Sequence, residues 1–220
     1  MNTTLLPQQQ EKISKIVNNM NLCVGKGTAE SACSIAAINL ALSGELTDRI
    51  PDCMSAVIGK WIIGVQDEMP AEVRNSPEWK RLLPLAAGTG RRKEKKRLQI
   101  ILGWMWDDVL PLVQPKANED GYGKEWEKML TAKTLNAAAH AAHAARAAHA
   151  ARAADAASID DFNVVYASTL AARAVVYAAH ASHASHFTCA TGVAAYQTND
   201  VVNFWETISP TALLEKLIKA

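Results

Sequence analysis

"NAAAHAAHAARAAHAARAADAAS", residues 136–158, consists almost wholly of alanine, with His140, His143, Arg146, His149, Arg152 and Asp155 on a three-residue beat. Alanine has the strongest helix propensity of any residue, so the run predicts a helix over about residues 134–157. An α-helix turns by 100° per residue, and a three-residue step therefore falls about 60° short of a full turn. Repeated along the run, this lag winds the polar groups most of the way round the axis. One-carbon side chains let helix axes approach near the lower end of the roughly 8–10 Å range. They also bury little apolar area each, so such a helix needs a close and extensive partner.

The partner follows directly. "SIDD", residues 158–161, has the pattern of a capping box, with Ser158 at the cap and Asp161 at the third position. It predicts a second long helix over about residues 159–187, and the two helices form an alanine-rich hairpin. On the second helix Tyr166, Arg173, Tyr177 and His180 fall near one face at steps of seven, four and three. Two aromatic rings flanking an arginine and a histidine suit a stacked base and a bound anion. The plainer explanation is that repetitive coding sequence yields such triplets and that His and Arg merely solubilise an alanine helix.

Helical signals also fill the rest of the chain. Pro7 opens a helix with Ile13, Ile16, Val17 and Met20 on one stripe. Thr28 is the expected cap of the next, which carries Cys33, Ala36, Ala37 and Leu40 and stops at Gly44. Residues 51–66 turn Met54, Val57, Ile58, Trp61, Ile62 and Val65 inward. Ser76 and Pro77 open a short helix through Trp79 and Leu83 that ends at Gly88. A fifth helix runs through "LQIILGWMWDDVLPLVQP", a loop is expected at "KANEDGYG", and a helix surrounds Trp126. Ser209 and Pro210 open the last one. No strand is expected, and the predicted fold is an all-α multi-helix bundle with a long C-terminal alanine-rich helical hairpin. Five of the six Trp precede residue 133 and all six His follow it. This change divides a Trp-containing bundle (1–132) from the hairpin and last helix (133–220), packed as one unit with it.

Composition narrows the function classes. A net charge of +1 leaves any basic site local, and a hydrophobic fraction of 49% supplies a full core rather than a disordered chain. No apolar run reaches the roughly 18 residues of a membrane span, and "MNTTLLPQQQEKISK" lacks the order of a secretory signal. Cys23, Cys33, Cys53 and Cys189 have no C-x-x-C spacing, which suits reduced, small core residues in a cytoplasmic protein.

"GTGRRKEKKR", residues 88–97, is the most pointed short motif. Gly88, Thr89 and Gly90 form a turn just before a helix, where free backbone N–H groups and the helix dipole favour an anion, with Arg91 and Arg92 beside them. The spacing is not that of a P-loop; the plainer alternative is a solvated basic face. "HASHASH" sets His180, His183 and His186 three apart, but the outer two lie about 9 Å apart along the axis and diverge, a poor metal set. Adjacent Asp107 and Asp108 point to different sides of a helix, and no catalytic motif stands out, so neither enzyme activity nor a cofactor is expected.

Residues 30–91, "ESACSIAAINLALSGELTDRIPDCMSAVIGKWIIGVQDEMPAEVRNSPEWKRLLPLAAGTGR", followed by the alanine triplets, resemble a loose group of uncharacterised proteins from bacteriophage and bacterial genomes. The resemblance implies an accessory or counter-defence setting, in which small proteins block a host protein or sequester a signal nucleotide. The sequence thus points to a non-enzymatic binding protein for an anionic small molecule or nucleotide, forming a homo-oligomer through its alanine faces. The alternatives are a protein-interaction or structural module that docks on a host protein or itself, and a metal-binding helical protein that uses the His cluster.

Overall fold

The computed structural model describes residues 5–134, 136–141, 143–144 and 201–220. Their regular elements are helices apart from two short strands, the all-α class that the periodicities predict. No described helix is long and apolar enough to cross a membrane. Contacts divide the chain into residues 1–100 with 209–220, and residues 101–208. That division differs from the change in composition at residue 133, because composition alters helix propensity whereas the last helix belongs where its leucines are buried.

In the first unit the helices are α1 (Pro7–Asn19), α2 (Ser34–Ser43), α3 (Ala56–Glu68), α4 (Ala71–Arg74) and α5 (Pro77–Ala87). Helix α6 (Glu94–Trp104) begins there as well. Local signals hold at several starts: Pro7 is the first residue of α1, and Ser76 caps α5 by accepting from the Trp79 N–H at 3.2 Å. The helix expected over residues 51–66 starts only at Ala56, yet all six residues expected to point inward are buried, Met54 in the turn before it, and Trp61 meets Trp79 with ring centroids 6.0 Å apart. The Trp79 indole donates to Ser34 Oγ at 3.1 Å, so its polar edge is satisfied inside the core.

Thr28 does not cap a helix. Its hydroxyl accepts from the Glu30 and Ser31 N–H groups and donates to the Glu30 carboxylate at 2.7 Å, so it organises a turn. That turn returns the chain so that β1 (Asn21–Leu22) pairs in parallel with β2 (Ser31–Ala32), a pairing absent from the sequence expectation. Gly27 sits at φ +76°, and a Cβ there would lie 2.1 Å from the Ser31 carbonyl oxygen, so only glycine fits. The cap of α2 passes to Cys33, whose sulfur accepts from the Ala36 N–H at 3.3 Å. Past the strands, the Gln66 amide donates to the Cys23 carbonyl at 3.0 Å and accepts from the Ser34 N–H at 2.6 Å.

The buried Arg74 guanidinium holds this region to α3. It donates to the carbonyls of Leu22 (3.0 Å), Gln66 (2.9 Å) and Met69 (3.0 Å). The C-terminal helix α10 (Pro210–Lys219) completes the unit by burying Leu213, Leu214 and Leu217.

The second unit continues α6 through a wide π turn (Met105–Val109) and a tight 3-10 turn (Leu110–Val113) into α7 (Gln114–Glu119). Pro111 explains the change of winding: it offers no N–H to the carbonyl four residues back, and its ring would crowd that carbonyl. The run "LQIILGWMWDDVLPLVQP" is thus three windings rather than one uniform helix, and "KANE" of the expected loop is helical. Helix α8 (Gly123–Ala132) sends the Trp126 indole N–H to the Leu110 carbonyl at 3.0 Å. Helix α9 (Val201–Ile208) ends with its Ile208 carbonyl accepting from the Trp104 indole at 2.8 Å.

Thr134 starts the alanine segment: its hydroxyl accepts from the Ala137 N–H at 3.3 Å, and residues 136–141 and 143–144 are helical. Ala138 and Ala141 are buried, whereas His140 and His143 are exposed. The rest of the expected hairpin lies outside the described residues. Replacing Arg74 by Met keeps the apolar stem and strips donors from three carbonyls. It is expected to lower unfolding free energy by about 3 kcal/mol, measured by urea denaturation followed through tryptophan fluorescence; a loss below about 1 kcal/mol would contradict this role.

Candidate functional site

The turn after α5 is more enclosed than the sequence suggests. The Gly88 N–H donates to the Leu85 carbonyl at 3.1 Å, the Thr89 N–H to Ala86 at 3.2 Å, and the Gly90 N–H to Cys53 at 2.8 Å. The backbone donors expected to be free for an anion are therefore all used within the chain. Thr89 Oγ1 donates to the Ala86 carbonyl at 2.7 Å and accepts from the Ser55 N–H at 3.0 Å. This turn is a joint between the end of α5 and the start of α3.

Two side chains from the basic run complete the joint. The Glu94 carboxylate accepts from Ser55 Oγ (2.8 Å), the Ala56 N–H (2.9 Å) and the Val57 N–H (3.0 Å). Helix α3 thus already holds an anion at its positive end, and that anion is Glu94. The Arg97 guanidinium, 3% exposed, donates to the carbonyls of Leu217 (3.1 Å), Gly90 (2.8 Å) and Thr89 (3.1 Å). Burial pulls its pKa below the usual arginine value, and the neighbouring Glu94 carboxylate opposes that shift.

The remaining cations of the run face solvent. Arg91, Arg92, Lys93, Lys95 and Lys96 are exposed. Arg91 reaches Asp52 at 3.4 Å, a loose surface pair, and Lys96 Nζ donates to the Ala220 carbonyl at 3.3 Å. The run is therefore divided, with Glu94 and Arg97 turned into the fold and five cations spread over the surface around the start of α6. Glu94 was signalled as the one acid in "RRKEKKR", and Arg97 as the basic residue at the edge of the apolar "LQIIL". Their partners lie far away in sequence, so the motif alone does not disclose their roles.

A second concavity lies where α1, α2 and the turn before β2 meet. It is a groove of about 470 Å³ lined by Ile16, Met20, Ala29 and Leu40, with Lys15 and Glu30 contributing opposite charges. The Thr28 hydroxyl and the Glu30 N–H hold the Glu30 carboxyl below its ordinary pKa, so it stays ionised. The face of Tyr166, Arg173, Tyr177 and His180 lies outside the described residues, as do His183 and His186. Among the described residues no group of three His, Cys, Asp or Glu side chains is arranged for a metal ion.

No protein family, curated protein sequence or solved structure matches the chain. The roles assigned at the joint therefore come from its geometry, and they separate two neighbours in the same run. Glu94→Ala takes the acceptor from three donors at the start of α3 and is expected to lower stability by about 2 kcal/mol. Arg91→Gln breaks an exposed pair and is expected to cost less than about 0.5 kcal/mol. Parallel urea denaturation of both variants checks the contrast, and equal losses would contradict the division.

Proposed function

We propose that the chain is a non-enzymatic binding protein that receives an anionic ligand, with phosphate-bearing nucleotides as the leading class, on Arg91, Arg92, Lys93, Lys95 and Lys96. The observation that carries this reading is the concentration of five exposed cations within six residues of a chain whose net charge is only +1. The donors of Gly88, Thr89 and Gly90 are spent on the fold, so the ligand meets side chains rather than a backbone cradle. Arginine suits this role because its planar fork matches two phosphate oxygens at once. The positive end of the α6 dipole adds to the same field. The face of Tyr166, Arg173, Tyr177 and His180 is a separate, second candidate site, and it lies outside the described residues. The resemblance of residues 30–91 to uncharacterised phage and bacterial proteins implies an accessory setting, in which such a binder would sequester a signal nucleotide.

A second reading draws on the groove lined by Ile16, Met20, Ala29 and Leu40, whose apolar surface between opposite charges favours a protein-interaction module. Calorimetry separates the two. Titration with cyclic and ADP-ribose-type nucleotides at low and moderate salt is expected to give saturable binding, weakened at least about tenfold by the double change Arg91→Gln with Arg92→Gln. No heat across the panel, together with a concentration-dependent oligomer in light scattering, would replace the nucleotide reading with the second.

A further inference from the structure

Cys23 and Cys33 stand at the ends of the two strands, just before α2. The parallel register pairs Asn21 with Ser31 and Leu22 with Ala32, and the Cys23 N–H still donates to the Ala32 carbonyl at 3.1 Å. That hydrogen bond makes Cys33 the residue across from Cys23. Paired strands run about 4.8 Å apart, inside the roughly 4.4–6.8 Å between Cα atoms that a disulfide spans. One residue further on, the Gln66 amide takes the place of the direct ladder bond between the Cys23 carbonyl and the Ser34 N–H. The two cysteines therefore occupy the last directly paired position.

Both thiols are free and weakly held. Cys23 Sγ donates to the Ser31 carbonyl at 3.2 Å, and Cys33 Sγ accepts from the Ala36 N–H at 3.3 Å. Sulfur is a poor donor and a poor acceptor, so neither contact strongly opposes rotation of the side chain. Access differs between them: Cys23 is half-buried and Cys33 is buried. A Cβ on residue 27 would come within 2.7 Å of Cys23 Sγ, so Gly27 leaves that thiol its space.

We propose that Cys23 and Cys33 form a redox-modification site that closes reversibly to a disulfide on reaction with a low-molecular-weight disulfide such as oxidised glutathione. The accessible Cys23 loses its proton to solvent, and its thiolate attacks one sulfur of the reagent. A mixed disulfide forms, and the first glutathione leaves as thiolate. Cys33 then gives up its proton, and its thiolate attacks Cys23 Sγ and expels the second glutathione. The protein has lost two protons and two electrons, and the reagent has become two thiols. Burial pushes the Cys33 thiol up in pKa, so the second step is the slower one. The bond encloses residues 24–32, which supply Ala29 and Glu30 to the groove, and it draws the Cys33 sulfur away from the start of α2. Redox state would thereby set the stiffness of one groove wall.

Full-length protein equilibrated in glutathione buffers of graded ratio, quenched by alkylation and mapped by mass spectrometry without reduction, tests this. The expected product lacks two hydrogens, links the Cys23 and Cys33 peptides, and returns to four thiols with dithiothreitol. Cys33→Ser keeps a side-chain oxygen to cap α2, with folding checked by circular dichroism, and is expected to stop at a mixed disulfide on Cys23. Cys23→Ser is expected to leave Cys33 unmodified. Four thiols throughout the oxidising range, a lasting mixed disulfide in the unaltered protein, or a bond that instead uses Cys53 or Cys189 would overturn the proposal.

Discussion

The first unit depends on one buried guanidinium. Arg97 donates to the carbonyls of Thr89, Gly90 and Leu217, and the last of these lies 120 residues away in the chain. A buried carbonyl without a donor costs on the order of 1–3 kcal/mol, so these three make a strong local demand. A planar fork of five N–H donors can meet it from one side chain. Through this contact the end of α10 is fixed to the turn after α5, and the start of α6 is fixed with them. Arg74 uses the same chemistry at Leu22, Gln66 and Met69. Neither arginine forms its principal contacts with a carboxylate. In both, a charge is kept inside by backbone dipoles, and the backbone is satisfied in return.

This constraint decides what the basic run is available to do. Of the residues in "RRKEKKR", Glu94 and Arg97 are committed to the fold, as are the backbone donors of the preceding turn. The exposed cations are then the only part of the motif that can meet a partner without dismantling the joint. A ligand held by side chains on a surface experiences more salt screening than one held in a backbone cradle, and its affinity depends on several charges acting together.

Local signals made most of the helices legible. Pro7, the Ser76–Pro77 pair and the apolar spacing from Met54 to Val65 each act within a few residues, so the sequence alone identifies their helices. The polar contacts that fix the tertiary structure were not legible, because their partners are distant. Gln66 reads as the polar end of a helix but serves as a rung between Cys23 and Ser34. Thr28 reads as a cap because it precedes an alanine-rich helix, yet the two glycines before it permit a tight return instead. The apolar spacing carries one helix straight through Pro111, where the missing N–H instead changes the winding. In the alanine segment the same three-residue step appears on the buried side, at Ala138 and Ala141, as on the exposed side at His140 and His143.

The most direct measurement is the stability of Arg97→Met beside Arg97→Lys, by urea denaturation with hydrogen exchange at the amides of α10. The expected result is a loss of about 3 kcal/mol or more for Met, and only partial recovery for Lys, whose single ammonium cannot span three carbonyls. Protection in α10 should fall with it. A Met variant within about 1 kcal/mol of the parent, with α10 still protected, would contradict the central place given to this guanidinium.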